Sequence, residues 1–372
     1  METREKKSTL KSLWQRCPIR HTLLCVSALW LGWFFLFRDR REWMNFLCRT
    51  LVRPWHRFAG TLFSKVRFSV AEWVIVLWIA LGICFLVQLG VHFARRCPGE
   101  GLYRWCVTVL VAGLTVFGCF CLWWGVYYYS DSFSEQAGLE RRPIAVEELE
   151  NVTQYFADLA NTYSSRVDRD ENGFFTADRQ ELFDHSTTLY HAVQEEFPCL
   201  EGPDLRAKPA LFSRILSRLT TTGYFFAYTA EANVNVDCTM AHIPATIAHE
   251  LAHQRGVAGE DEANFAAVLA CMEDGDDTYV YSGALFAYVY LGNALHDTDR
   301  TAWNRVYSSL NEDVRRDLDA HNASWDRYDE TKVAEISDTV YEGFLKTYGD
   351  DRGMKSYDAC VDLLVIYYLD RI

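Results

Sequence analysis

Three long apolar runs in the first third of this 372-residue chain constrain its fold more than any other feature. They cover residues 21–37, 73–94 and 105–129. A helix needs about 20 mostly apolar residues to cross a hydrocarbon core about 30 Å thick. The second and third runs meet that length, and the aromatic ends of the shorter first run are typical of the membrane interface. We therefore predict three transmembrane helices and a multi-pass protein in contact with the lipid bilayer.

The first run follows several basic residues, which is also the pattern of a secretory signal peptide. It lacks a small-residue cleavage site, and the charged residues 38–42 follow it at once, so we interpret it as an uncleaved anchor. The count of basic residues does not decide which side of the membrane holds the N terminus. With the N terminus on the cytoplasmic side, nine Lys or Arg of the flanking segments lie on that side and eight lie on the other. Residues 43–64 mix Arg with apolar side chains and predict an amphipathic helix on the membrane surface.

Composition changes sharply near residue 130. Residues 1–130 carry a net charge of +11, whereas the rest carries −24, which together give the −13 of the whole chain. An acidic balance is not that of a nucleic-acid-binding protein. We predict a membrane anchor over 1–130 and a soluble, mainly helical domain over 131–372. Helical periodicity predicts helices near 144–163, 209–220, 260–272, 279–296, 302–318, 331–346 and 355–369.

One segment of the acidic half alternates apolar and polar residues, as a strand does. It covers residues 232–237, Ala-Asn-Val-Asn-Val-Asp. Asn is a poor strand former, so its use here predicts an edge strand or a functional face.

Residues 249–253 read His-Glu-Leu-Ala-His, between Pro244 and Gly256. Pro in the first turn and Gly after the last one predict a short helix. Residues four apart share one face of a helix, so His249 and His253 can bind one Zn²⁺ through their imidazoles. Glu250 projects beside them and can act as the general base toward a metal-bound water.

A catalytic zinc site needs a third protein ligand and an open coordination position. The next predicted helix begins near Glu260. At 100° per residue, Glu260 shares a face with Ala263 and Ala267, and these small residues permit close packing against the His helix. We predict Glu260 as the third ligand, with Asn264 one turn later orienting it. Glu262 lies on the opposite side and remains the alternative ligand.

This pattern resembles the gluzincin arrangement of zinc metallopeptidases, in which a Glu-x-x-Ala-Asp/Asn helix supplies the third ligand, as in membrane CAAX-type proteases. In those proteases the zinc-binding helices are far apart in sequence, so cleavage of prenylated proteins does not follow here. The chain resembles more closely an uncharacterised family of bacterial membrane proteins, known only as a numbered domain of unknown function. The segments that carry this resemblance are 223–225, 231–235, 249–256, 260–265 and 353–357.

The resemblance implies a mainly α fold, with three transmembrane helices and a predominantly helical, zincin-like (α+β) domain that has a small edge strand. It also implies a cytoplasmic N terminus and a catalytic domain on the extracytoplasmic side of a bacterial membrane. The implied activity is hydrolysis of a peptide or protein substrate by a zinc metallopeptidase. In zincins, a strand placed like 232–237 pairs with an extended substrate, and we expect either that role or an ordinary edge strand here.

Several points stay open at this stage. A group that stabilises the oxyanion is expected, and Tyr281, His296 and Tyr357 are equal candidates. The soluble part has four cysteines, an even number that permits disulfides outside the cytosol, and Cys199–Cys238 is the pair we predict. The alternative function is a catalytically silent zincin fold that binds a peptide or partner protein and signals through the three spans. No feature of the sequence identifies the substrate or the oligomeric state.

Overall fold

The computed structural model describes residues 14–94, 99–329, 331–348 and 360–372, and it is mainly helical with one small sheet. Three of its helices are long and apolar enough to cross a membrane: α1 (Pro18–Phe37), α4 (Val70–Ala94) and α5 (Glu100–Trp123). The three predicted spans are thereby confirmed by length and composition. The third ends at Trp123 rather than at residue 129. The chain continues as a 3₁₀ turn, Gly125–Tyr129, whose first three residues are buried inside the protein.

An interrupted helix connects the first two spans. It consists of α2 (Arg41–Leu47), a π-helical turn (Cys48–Val52) and α3 (Arg53–Phe63). One side is buried against the rest of the protein, while large apolar side chains on the other side are exposed, namely Trp43, Phe46, Leu51, Phe58 and Leu62. Exposed Arg49 and Arg57 lie among them. This distribution is typical of a helix lying in the membrane interface, as the sequence indicated.

The acidic part of the chain folds into short and medium helices. Their bounds are α6 (Phe133–Ala137), α7 (Val146–Ser164), α8 (Arg179–His185), α9 (His191–Glu196), α10 (Ser213–Arg218), α11 (Ile243–Gln254), α12 (Glu260–Asp274), α13 (Asp277–Thr298), α14 (Arg300–Ser309), α15 (Glu312–Asp329), α16 (Lys332–Thr347) and α17 (Cys360–Leu369). Short 3₁₀ turns cover Pro198–Leu200 and Met240–His242.

The prediction of one helix over 302–318 was wrong. Leu310 takes an extended conformation, and the Asn311 side chain accepts a hydrogen bond from the Val314 backbone, so the chain starts a new helix there. The helix near 209–220 is also shorter than predicted, because Lys208–Pro209 joins the sheet instead. Of the predicted 355–369 helix, residues 355–359 lie outside the described part of the chain.

The sheet has three short strands: β1 (Lys208–Pro209), β2 (Gly223–Phe226) and β3 (Glu231–Val234). Their spatial order is β1-β3-β2, with β1 parallel and β2 antiparallel to β3. The prediction of an edge strand at 232–237 was therefore wrong, because β3 is the central strand and all four of its residues are buried. The Asn residues serve internal hydrogen bonds: the Asn233 amide donates to the Glu231 carbonyl (3.0 Å) and the Asn235 amide to the Thr221 carbonyl (2.9 Å).

Buried carboxylates join the membrane anchor to the soluble part. The Glu231 carboxylate accepts hydrogen bonds from the first backbone N–H groups of α4, at Val70 (3.0 Å) and Ala71 (2.8 Å), and pairs with the buried Lys208 ammonium. In return, Glu72 in the first turn of α4 accepts from the backbone N–H groups of Leu211 and Phe212, both at 2.8 Å. The composition boundary near residue 130 is therefore not a boundary in packing.

The predicted Cys199–Cys238 disulfide was wrong. Both are free thiols. Cys199 lies in the Pro198–Leu200 turn, whereas Cys238 follows β3 and its thiol donates to the Asn235 carbonyl at 3.1 Å.

Candidate metal centre

The helix α11 carries the His-Glu-Leu-Ala-His segment, and all twelve of its residues are buried. Pro244 lies in its first turn, where its missing N–H leaves no hydrogen bond unmade. Gly256 follows the helix with φ +95°, a conformation that side chains with a Cβ rarely adopt, and so ends it. Midway along the helix, the Ala248 carbonyl accepts a hydrogen bond from the hydroxyl of Tyr190, which lies outside α11, at 2.8 Å. These contacts hold the two histidines on a rigid element.

The helix α12 packs against α11. Its small residues Ala263, Ala266, Ala267 and Ala270 are all fully buried, and small side chains permit helix backbones to approach closely. This packing brings Glu260, in the first turn of α12, to the histidine face of α11. The spacing argument from the sequence therefore placed Glu260 on the correct side.

Three side chains converge on one point: His249, His253 and Glu260. The Glu260 Oε2 atom lies 3.2 Å from the His249 Nε2 atom and 3.4 Å from the His253 Nε2 atom. Four ligands at about 2.0–2.1 Å around a tetrahedral Zn²⁺ are about 3.3–3.4 Å apart, so both distances match an edge of that tetrahedron. Charge-assisted hydrogen bonds alone would draw N and O to about 2.7–2.9 Å.

A backbone carbonyl and a neighbouring ring orient the His253 imidazole. The His253 Nδ1–H donates to the Val257 carbonyl at 2.7 Å, which leaves Nε2 as the atom available to a metal. The Trp124 ring meets the His253 ring edge to face, with centroids 5.5 Å apart. Asn264, which the sequence placed beside Glu260, lies close to His249, and the His249 Nδ1 atom has no hydrogen-bond partner among the described residues. Trp124 comes from the end of the third span, so its role at the site was not visible in the sequence.

Glu262, the alternative ligand, has a different role. Its carboxylate accepts hydrogen bonds from the Phe133 N–H (2.8 Å), the Ser134 N–H (3.0 Å) and the Ser134 hydroxyl (2.5 Å). These are the first residues of α6, and such bonds satisfy donors that a helix leaves free at its N-terminal end. Glu262 is therefore a buried helix cap and points away from the three converging side chains.

Glu250 is buried beside the histidines, with 2% of its surface exposed. Its Oε2 atom has no hydrogen-bond partner among the described residues. Burial raises the pKa of this carboxyl to about 8, and the charge of Glu260 adds to that effect. A buried, unpartnered carboxylate oxygen is costly unless a ligand completes its surroundings, so Glu250 fits a site that is filled in its working state.

The strand β2 begins against Glu250. A Cβ atom added to Gly223 would lie 2.5 Å from the Glu250 Oε1 atom and 2.9 Å from the Asn233 carbonyl oxygen. Glycine is therefore needed here because strand and carboxyl approach closely. The sequence indicated no role for Gly223. The one sequence signal that pointed to this glycine was the Gly-Tyr-Phe segment at 223–225, which the resembled family shares.

The charges of the three converging side chains favour a cation. Although burial opposes it, the charge of Glu260 raises the pKa of His253 to about 9. Burial lowers the pKa of His249, and, against the effect of burial, His253 lowers the pKa of Glu260. His253 and Glu260 therefore each favour the charged form of the other. A divalent cation bound here would take the place of the His253 proton, as metal binding to histidine generally does. Two imidazoles and one carboxylate form a donor set that suits Zn²⁺.

The described oxyanion candidates have other partners. The Tyr281 hydroxyl donates to the buried Asp317 carboxylate at 2.5 Å and also contacts Arg169. His296 lies near the end of α13, pairs with Asp297 at 3.0 Å and contacts the Trp303 ring. Tyr357 lies outside the described residues. Neither described residue is assigned to the site.

Comparison with known proteins gives one match. No curated protein and no solved structure matches the chain. A family model described as "Protein of unknown function (DUF3810)" matches residues 48–365, which include the second and third spans and the candidate metal centre. Since this match covers most of its length, the chain belongs to the family of unknown function DUF3810.

Proposed function

We propose that this protein is a membrane-anchored, zinc-dependent metallopeptidase of the gluzincin type. The observation that carries the proposal is the placement of one Glu260 oxygen at 3.2 and 3.4 Å from two imidazole nitrogens, with Glu250 buried beside them. Three protein ligands and one open position are typical of catalytic rather than structural zinc sites.

Each residue has a defined task in this proposal. His249, His253 and Glu260 hold the ion, and the Val257 carbonyl keeps His253 in the required tautomer. Bound zinc supplies Lewis-acid chemistry, since it acidifies a water and polarises a peptide carbonyl. The Glu250 carboxylate accepts the proton of that water and later passes it to the leaving amine. Burial raises the pKa of Glu250, and a cation bound beside it would lower that pKa again, so that the carboxylate could accept a proton near neutral pH.

The alternative, a silent binding protein with the same fold, has no use for Glu250. A silent fold keeps its stability best when a buried acid without a partner is replaced by a neutral or apolar residue. Glu250 is nevertheless an acid, 2% exposed, with one oxygen unpartnered among the described residues. This observation favours hydrolysis over silent binding.

The proposed location is a bacterial cell membrane with the soluble part on the extracytoplasmic side. The soluble part contacts the start of α4 and the ends of α1 and α5. Three spans then place the N terminus on the opposite side, in agreement with the orientation that the family resemblance implies. Peptide and protein substrates of the cell envelope are accessible in this arrangement.

The test uses the full chain purified in detergent. We expect close to one zinc per chain in the wild type and in Glu250→Gln, and much less than half a zinc in His249→Ala. We also expect a fluorogenic peptide library to be hydrolysed by the wild type alone. Zinc absent from the wild type would refute the metal site. Zinc bound, with hydrolysis equal in wild type and Glu250→Gln, would refute the enzyme proposal.

A further inference from the structure

The strand next to the candidate metal centre leads directly into the membrane anchor. β2 starts at Gly223, against the Glu250 carboxyl, and ends at Phe226, whose ring lies 5.8 Å from the Trp78 ring of the span α4. β2 pairs with β3 on one side only, so its other edge pairs with no strand among the described residues. An extended polypeptide that adds to this edge runs between the metal centre and the spans.

Two sets of contacts show how far the side chains at the turn after β2 extend along the membrane-spanning helices, measured from the helix ends on the side of the metal centre. Trp78, which also meets the Tyr228 ring at 5.1 Å, is eight residues below the start of α4, about 12 Å along the helix axis. The Tyr228 hydroxyl donates to the Val116 carbonyl at 2.9 Å, and Val116 is seven residues before the end of α5, about 10 Å along it. Two different spans thus place the tips of the Phe226 and Tyr228 side chains at the same level, well inside the ends of the helices. The strand itself ends higher, because Phe226 pairs with Glu231, whose carboxylate lies at the start of α4.

This level lies inside the hydrocarbon of a bilayer. α4 has 25 residues and is about 37 Å long, whereas the hydrocarbon core is about 30 Å thick. If α4 extends equally on both sides, only about 4 Å of it projects at each end, so a point about 12 Å below its start is surrounded by lipid. The side chains of Phe226 and Tyr228 therefore reach below the membrane surface between α4 and α5, and the strand ends at that surface.

The metal centre itself lies at the membrane boundary. Trp124, the residue after α5, contacts His253, and the Tyr127 ring lies next to Gly256, where an added Cβ would be 2.7 Å from it. The interrupted helix formed by α2 and α3, which carries the exposed apolar side chains, packs against this same part of the protein. His56 of α3 contacts both the Tyr127 ring and the Phe225 ring. Lipid headgroups are thus expected at the level of the two imidazoles.

We infer that the substrate is a membrane-anchored polypeptide, cut within about six residues of the point where it leaves the bilayer; the inference rests on the proposed peptidase function. A soluble polypeptide that follows β2 toward Phe226 must bring its polar backbone to the edge of the hydrocarbon, where unpaired backbone groups are unfavourable. A polypeptide with its own transmembrane segment already has its chain at that edge. Four strand residues at about 3.3 Å each lead from Glu250 to the end of β2, which sets the distance from bilayer to scissile bond.

The test is a cleavage assay with the zinc-loaded full chain in liposomes. One substrate library carries a randomised 20-residue segment attached at either end to a single transmembrane helix. The other carries the same segment on a small soluble protein. Mass spectrometry locates the cut bonds, and the Glu250→Gln variant gives the background. We expect cuts to concentrate in the first six residues from the span and the anchored library to be cut at least tenfold faster.

A second readout needs no turnover. In Glu250→Gln, a photo-crosslinking phenylalanine analogue at position 226 is expected to couple to residues of the anchored library next to its span. The same analogue at the surface position 174, also a Phe, should couple to neither library. Equal cleavage of both libraries, or cuts spread evenly along the segment, would overturn the membrane inference and leave the peptidase intact. No cleavage of either library above background would overturn both.

Discussion

The pair α11–α12 and the junction between β2 and the spans differ in what holds them together. In the helix pair, the ligands lie within twelve residues of one another in sequence, from His249 to Glu260, so helical spacing nearly fixes their geometry. The junction joins residues more than a hundred positions apart, such as Ala71 with Glu231 and Trp124 with His253. Local spacing therefore determines which side chains converge, and long-range docking determines where the candidate metal centre lies relative to the three apolar helices.

The largest expected effect separates the two neighbouring acids of α12. Glu260→Gln removes a proposed ligand and is expected to weaken zinc binding more than about 100-fold, beyond the loss typical of residues that only orient ligands. Glu262→Gln is the matched control. It should keep zinc binding within a few-fold but lower the free energy of unfolding by about 1–3 kcal/mol, since donors of α6 lose a charged acceptor. Zinc titration and thermal unfolding measure both. Zinc loss confined to the Glu262 variant would reverse the ligand assignment.

The next effect tests the junction. Lys208→Met leaves the buried Glu231 carboxylate without its cation, and removal of one partner of a buried ion pair typically costs about 3–5 kcal/mol of stability. The exposed Lys65→Met serves as the control and should change stability by less than about 0.5 kcal/mol. Chemical denaturation in detergent reports the difference. Unchanged stability of the Lys208 variant would mean that the anchor and the soluble part are not joined through this pair.

A smaller effect tests the close approach of strand and acid. Gly223→Ala places a methyl group against the Glu250 carboxyl, so we expect peptidase turnover to fall about 10- to 100-fold, as it does when a catalytic group is displaced by about 1 Å. Zinc content should not change. Gly343→Ala, with open space around the added Cβ, should leave turnover unaltered. Turnover of the Gly223 variant equal to wild type would remove Glu250 from the proposed proton transfer.

The smallest effect concerns the orientation of His249. Asn264→Ala removes a polar side chain next to the imidazole and is expected to weaken zinc binding by about tenfold, the lower end of the range for groups that position ligands. Competition with a chelator of known affinity measures this. An affinity within twofold of wild type would show that the packing of α11 alone is sufficient to hold the ring.

The sequence predicted the parts of the fold that depend on local patterns. Apolar run length gave the three spans, and the spacing of His249, His253 and Glu260 gave a convergence that the structure reproduces. It misplaced β3 as an edge strand, because alternation of apolar and polar residues does not reveal that Asn233 and Asn235 bond inside the protein. The roles of Gly223 and Trp124 were not predictable, since each depends on contact with a distant segment.

The most direct test of the central claim is X-ray absorption spectroscopy at the zinc edge on the metal-loaded full chain. The account predicts a first shell of nitrogen and oxygen only, at about 2.0–2.1 Å, with the outer scattering of two imidazoles. The Glu260→Gln variant should lose that signature or the metal itself. A sulfur neighbour at about 2.3 Å, or a spectrum that shows no imidazole, would contradict the assignment of His249, His253 and Glu260 as the metal centre.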